Sequence, residues 1–209
     1  MKKYELTDET KTLADGTVLH RIRAVKDFTL ADGTKVLAGD LGGWIEKEYN
    51  ISQIGSAWVY GDARVSDNAW VSGNARVYDN AWVYGNAEVS GNARVFGNAI
   101  VSGNARVSGN ARVSGNAWVY GNVRVYDNAW VYGNAEVKSS KDYCVYKNTW
   151  SSFRWFTYTR SNKMWSVGCF YGTGAELIAK AYKDSEKSGK CYEAIVMAQE
   201  AIDSAIDEK

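Results

Sequence analysis

Five side chains between Arg154 and Trp165 have the types and spacing to grip an anion. Arg154, Phe156, Tyr158 and Arg160 alternate along a stretch that begins at Phe153 and runs through Thr159 to Arg160, so in an extended strand they share one face, with Lys163 and Trp165 close behind. Guanidinium groups present forked donors that match phosphate or carboxylate. Arg154, Tyr158, Arg160, Lys163 and Trp165 therefore suit a small, anionic, nucleotide-like ligand. The same residues fit a plainer reading, in which Phe156 and Tyr158 are core and the arginines are solvated at its rim, and both stay open. Farther upstream, Trp58, Arg76, Arg94, Arg112 and Trp130 recur every 18 residues. An arginine ladder between tryptophans suits phosphates or stacked bases, or it simply stacks on itself. A second series at the same spacing gathers Trp82, Tyr84, Ile100, Trp118 and Tyr120, apolar enough to form a subunit interface.

Groups for covalent chemistry are sparse. The chain has one histidine, His20, and three cysteines, Cys144, Cys169 and Cys191, without metal-like spacing. Glu88, Asp127 and Glu136 are scattered and form no acid/base pair, so no catalytic residue, metal or cofactor is expected. The net charge of +1 is balanced along the chain, which excludes the basic patch that duplex DNA demands. With no signal-like segment and no long apolar run, the expected setting is a reduced cytoplasm without a membrane partner.

The elements that position these residues are written in a repeat. From Val59 through Val137 valine falls at every sixth position, within the phrase Val-(Ser/Tyr)-Gly-Asn-Ala-(Arg/Trp/Glu). That period belongs to a parallel β-helix whose coils stack on one another. Valine and the alanine four residues later face inward. Gly-Asn or Asp-Asn between them takes the corner, where a left-handed backbone is needed. Val101-Ser102-Gly103-Asn104-Ala105-Arg106 matches the pattern position by position. The segment resembles the left-handed β-helix of hexapeptide-repeat proteins. That resemblance implies three edges to a coil, about five coils from 51 to 138, and assembly as a homotrimer.

The flanking segments lose the period. Residues 1 to 50 read as an antiparallel β cap, because Thr-Leu-Ala-Asp-Gly-Thr occurs at Thr12 to Thr17 and again at Thr29 to Thr34, and each Asp-Gly is a hairpin signal. Its expected role is to hide the unpaired edge of the first coil. Residues 139 to 209 read as a small α+β domain. Its strands are expected at Tyr143 to Lys147, Phe153 to Thr159 and Met164 to Phe170. A Thr173/Glu176 capping box opens a helix reaching about Lys187, and a second helix starts near Tyr192 with Ile195, Val196, Ala198, Ala201, Ile202 and Ala205 as its apolar positions.

Taken together, Met1-Lys2-Lys3-Tyr4-Glu5-Leu6, Ala38 to Ile45, the Gly-Asn-Ala array and Gly168 to Thr173 are similar to a group of phage and prophage proteins with hexapeptide-repeat or polymer-forming cytoskeletal labels. Many hexapeptide-repeat proteins are acyltransferases that use a histidine presented from a coil or an inserted loop. Here the histidine lies in the cap and the coils carry no insertion, so no such activity is expected. The resemblance implies a cytoplasmic, oligomeric binding protein of a phage-bearing bacterium. Its targets would be a host protein or a small nucleotide-like ligand, held stoichiometrically in a counter-defence role. The alternative is a virion or filament component built by end-to-end stacking of coils.

Overall fold

The computed structural model describes residues 2–207, which divide into two compact units, up to Ser140 and from Lys141 onward. The first unit opens with antiparallel strands β1 (Tyr4–Thr12) and β2 (Val18–Ala24), followed by the short hairpin of β3 (Phe28–Thr29) and β4 (Lys35–Val36), and then β5 (Leu41–Ile45). Both Asp-Gly turns lie between paired strands, and Asp15 and Asp32 each accept a hydrogen bond from the backbone N–H two residues on. From β6 (Trp58–Val59) to β19 (Glu136–Val137) come fourteen two-residue strands, one to every hexapeptide. They stack in parallel as three ladders with a register of 18 residues, giving a β-solenoid of about five turns.

Every hexapeptide valine from Val59 to Val137 is at most 1% exposed, as are the alanines four residues on and Val123, which replaces one of them. Only small side chains fit at the corners of so narrow a core. The first residue of each corner pair takes the left-handed backbone, as Gly91 does at φ +64° and Asp79 at +59°. The second residue does other work. Asn74, Asn92, Asn110 and Asn128 hydrogen-bond amide to amide from coil to coil, and two further asparagine ladders run along the other corners. Every coil is thereby tied to the next by side chains as well as by backbone bonds such as Arg94 N to Ala111 O at 2.9 Å.

The cap does hide the edge of the first coil. Trp44 N, Glu46 N and Ser52 N donate to the carbonyls of Ala63, Val65 and Val71, which have no coil above them. Asn50 Nδ2 supplies Ala69 O, and Lys3 Nζ supplies Ala57 O at 2.8 Å. β5 continues the sheet, pairing in parallel with Arg64–Val65. Lys3 is 1% exposed, and burial, helped by the charge of Lys26, lowers its pKa to about 8. The unfolded chain therefore holds a proton that the folded chain releases between about pH 8 and the ordinary lysine value. Stability should rise with pH across that window. Urea unfolding midpoints compared at pH 7.5 and 9.5 are expected to show the rise, reduced in Lys3→Met.

The second unit has four strands where three are expected. β20 (Tyr143–Lys147), β21 (Trp155–Thr159), β22 (Met164–Val167) and β23 (Phe170–Gly172) form one antiparallel sheet. The stretch read as one strand from Met164 to Phe170 folds back on itself at Gly168, whose φ of +59° suits a tight turn. The Thr173/Glu176 capping box forms as expected, with Thr173 N donating to the Glu176 carboxylate at 2.8 Å. It opens α1 (Gly174–Asp184), and α2 (Glu186–Asp207) follows at once, starting six residues before Tyr192.

The buried face of α2 also differs from expectation. Tyr192, Val196, Gln199 and Asp203 point inward, while Ile202 is 48% exposed. Polar groups can occupy that face because tyrosines meet them there. Tyr146 Oη donates to Gln199 Oε1 at 2.6 Å, and Tyr158 Oη donates to the Asp203 carboxylate.

Candidate functional site

The solenoid places the ladder residues as the 18-residue spacing requires. Trp58, Arg76, Arg94, Arg112 and Trp130 are consecutive rungs of one parallel ladder, at about 4.8 Å per rung. The rungs differ in what neutralises them. Trp58 is buried beneath the cap, edge-on to Phe28 at 5.2 Å. Arg76 is 3% exposed and forms an ion pair with Asp32, whose carboxyl that guanidinium holds well below the usual range. Arg112 lies 5.4 Å from the ring centre of Trp130. Arg94, between them, forms no ion pair among the described residues, and the charge of Asp32 reaches it only weakly.

Burial, then the like charges of Arg76 and Arg112, lower the pKa of Arg94. Beside it is a cleft of about 220 Å³ lined by Ala31, Arg76, Asn92, Arg94 and Asn110. Two residues along the strand, on the same outward side, is an aromatic column. Tyr60, Tyr78 and Phe96 stack at 4.9 Å with nearly parallel rings, and burial pushes Tyr60 up to about 12. A cation and a ring face are thus offered side by side.

The second face also assembles as expected. Trp82, Ile100 and Trp118 are successive rungs, with Tyr84 against Trp82 and Tyr120 against Trp118 at 4.4 and 4.8 Å. Its upper half is not simply apolar. Arg21, Trp44, Arg64 and Trp82 alternate across the cap and first coils, Arg21 lying over Trp44 and Arg64 over Trp82, each at 5.0 Å. Indole N–H groups are met from within the repeat, as Trp82 and Trp118 each donate to a serine hydroxyl, Ser66 and Ser102. Trp118 remains 40% exposed.

Of the five residues expected to form one ligand site, Tyr158, Lys163 and Trp165 line one cleft of about 230 Å³ together with Asp203 and Asp207, whereas Arg154 lies apart from them. Tyr158 and Trp165 are core, packed with Phe156, Leu177 and Val196. Arg160 is held by acids of α2, with Nη2 to Asp207 Oδ1 at 2.5 Å and Nε to Asp203 Oδ1 at 3.7 Å. Lys163 is exposed beyond the end of β21. Arg154 lies six residues from Arg160, about 20 Å of extended chain, and lines a different cleft. Alternation fixed the face correctly but says nothing of distance along it. His20, the one histidine, is on β2 with its ring Nδ1 3.3 Å from Thr7 O. Among the described residues no group of three or more His, Cys, Asp or Glu is placed to hold a metal. No described helix is long and apolar enough to cross a membrane.

Stacked coils, a six-residue period and parallel ladders give residues 58–137 the architecture of a hexapeptide-repeat β-helix. Its repeats match the family described as YdcK Beta solenoid repeat over residues 57–73, 71–85, 87–103, 105–121 and 117–133. The chain is also similar to the protein named "Uncharacterized acetyltransferase YdcK" of Escherichia coli (strain K12), 37% identical over 67 residues. That match spans 29% of this chain and 19% of the relative.

Proposed function

We propose that this protein is a non-catalytic, oligomeric binding protein that holds an anionic, nucleotide-like ligand on the outside of its solenoid. One observation carries the reading, namely Arg94 without an ion pair among the described residues, beside a cleft and between two arginines that raise the cost of its charge. An arriving phosphate would relieve that repulsion and find a ring column two residues along the strand. The apolar rungs from Trp82 to Tyr120 supply the contact between copies, with a trimer as the assembly. In a phage-bearing bacterium such a protein would act by stoichiometric sequestration of a host factor or small ligand, a counter-defence role in the cytoplasm.

Titration calorimetry with a panel of nucleoside mono- and diphosphates tests the ligand. Arg94→Gln is expected to weaken binding by about tenfold or more while leaving the melting temperature unchanged, since the side chain points outward. No heat with any member of the panel would sink this reading.

The name of the Escherichia coli relative favours a second reading, transfer of an acetyl group. The matched stretch is made of repeats, which supports a shared scaffold more than a shared reaction. His20, in the cap sheet beside Thr7 O, also fits poorly as a base serving the coils. Release of coenzyme A from acetyl-coenzyme A in multiple turnovers would reverse the order of the two. Filament growth by end-to-end stacking is disfavoured at the capped end, where the first-coil carbonyls already have donors.

A further inference from the structure

We propose that the second unit carries its own ligand site, for a phosphomonoester with an aromatic or aliphatic body. The site is a cleft of about 350 Å³ walled by the end of α1, the first turn of α2, and the loops flanking β21 and β22. Arg154 and Lys180 line it, and neither makes an ion pair with an acid among the described residues. Arg154 is brought there by the β22–β23 turn. A Cβ on Gly168 would lie 3.0 Å from its Nη1, so the guanidinium rests directly over that glycine. Asp184 also lines the cleft, one helical turn from Lys180, yet no ion pair joins them. Two cations against one carboxylate leave the cleft positive.

The remaining walls divide by chemistry. Ser185 and Ser188 offer hydroxyls beside the cations, Ser188 being 7% exposed, and Asn148 and Tyr192 close one side with a mutual hydrogen bond of 3.1 Å. Val167, Phe170 and Leu177 make an apolar floor. Separated cations with hydroxyls suit the several oxygens of a phosphate, and the floor requires that something apolar be attached to it. A fully polar anion would leave that floor unused. The site shares no residue with the arginine ladder, so the two stand or fall separately.

Cys169 lies at the rim and is exposed, which makes it a local reporter. The full chain is treated with a thiol-alkylating reagent in the presence of phenyl phosphate or inorganic phosphate, and labelling at Cys169 is read by peptide mass mapping. Phenyl phosphate is expected to slow alkylation saturably, inorganic phosphate to require about tenfold more for the same protection, and Arg154→Gln and Lys180→Gln each to raise the half-protecting concentration by about tenfold. Arg94→Gln should change nothing at Cys169. Both cleft substitutions are of exposed side chains, and an unchanged melting temperature confirms that the fold is intact. Absence of protection in the unaltered chain, protection that survives both substitutions, or equal protection by inorganic phosphate would each overturn the proposal.

Discussion

Gly91→Val is expected to destabilise the solenoid by about 3 kcal/mol or more, whereas Gly91→Asp should cost about 1 kcal/mol or less. Gly91 occupies a corner at φ +64°, where a Cβ would stand 2.9 Å from the backbone N of Gly109 in the coil below. A β-branched side chain adds bulk at that contact and cannot relax, because backbone is on the other side of it. Aspartate already solves the same problem elsewhere. Asp67 and Asp79 take the left-handed backbone at +55° and +59°, and their carboxylates accept the N–H of Gly85 and Gly97 at 2.9 and 3.2 Å. Thermal and urea melts followed by circular dichroism would separate the two variants. Equal costs would mean that the corners are set by something other than this steric contact.

The second large effect is at Val95. Val95→Asp puts a carboxylate into a core position that is 0% exposed, between Val77 and Val113, with no cation to meet it. Burying an unpaired charge costs several kcal/mol, on the order of the whole stability of a domain. Coils are stabilised chiefly by their neighbours, so damage in a central coil also divides the stack. We expect the cooperative unfolding transition of the solenoid to disappear. The adjacent Arg94→Gln, one residue away and facing outward, should leave that transition in place. The contrast reads out the division of labour along each hexapeptide, in which inward positions hold the fold and outward positions are free to bind.

That division is also what made part of the molecule legible. Inward valines at a constant interval call for stacked coils, and with the three edges to a coil that the hexapeptide-repeat resemblance implies, ladder partners such as Arg76 and Arg94 follow 18 residues apart. The asparagine ladders were equally present in the spacing, yet the corner was read only as a backbone requirement. A side chain repeating every 18 residues must meet its own copy, and Asn92 and Asn110 do.

Outside the repeat, local pattern was a weaker guide. Apolar character carried the reading of Met164 to Phe170 through Gly168, although the hairpin turns there. On α2, hydropathy pointed to Ile202, while the buried face holds Gln199 and Asp203 because Tyr146 and Tyr158 reach them from other elements. The expected ligand site divided for a similar reason. Which acids would capture Arg160, and which turn would hold Arg154, depend on chain segments more than ten residues away.

Native mass spectrometry of the full chain, purified under mild conditions from its own host, tests the account most directly. It reports subunit number and retained ligand in one spectrum. We predict an oligomer, with three copies as the main species, carrying an anionic adduct that Arg94→Gln loses. A bare single chain with no adduct would contradict the account.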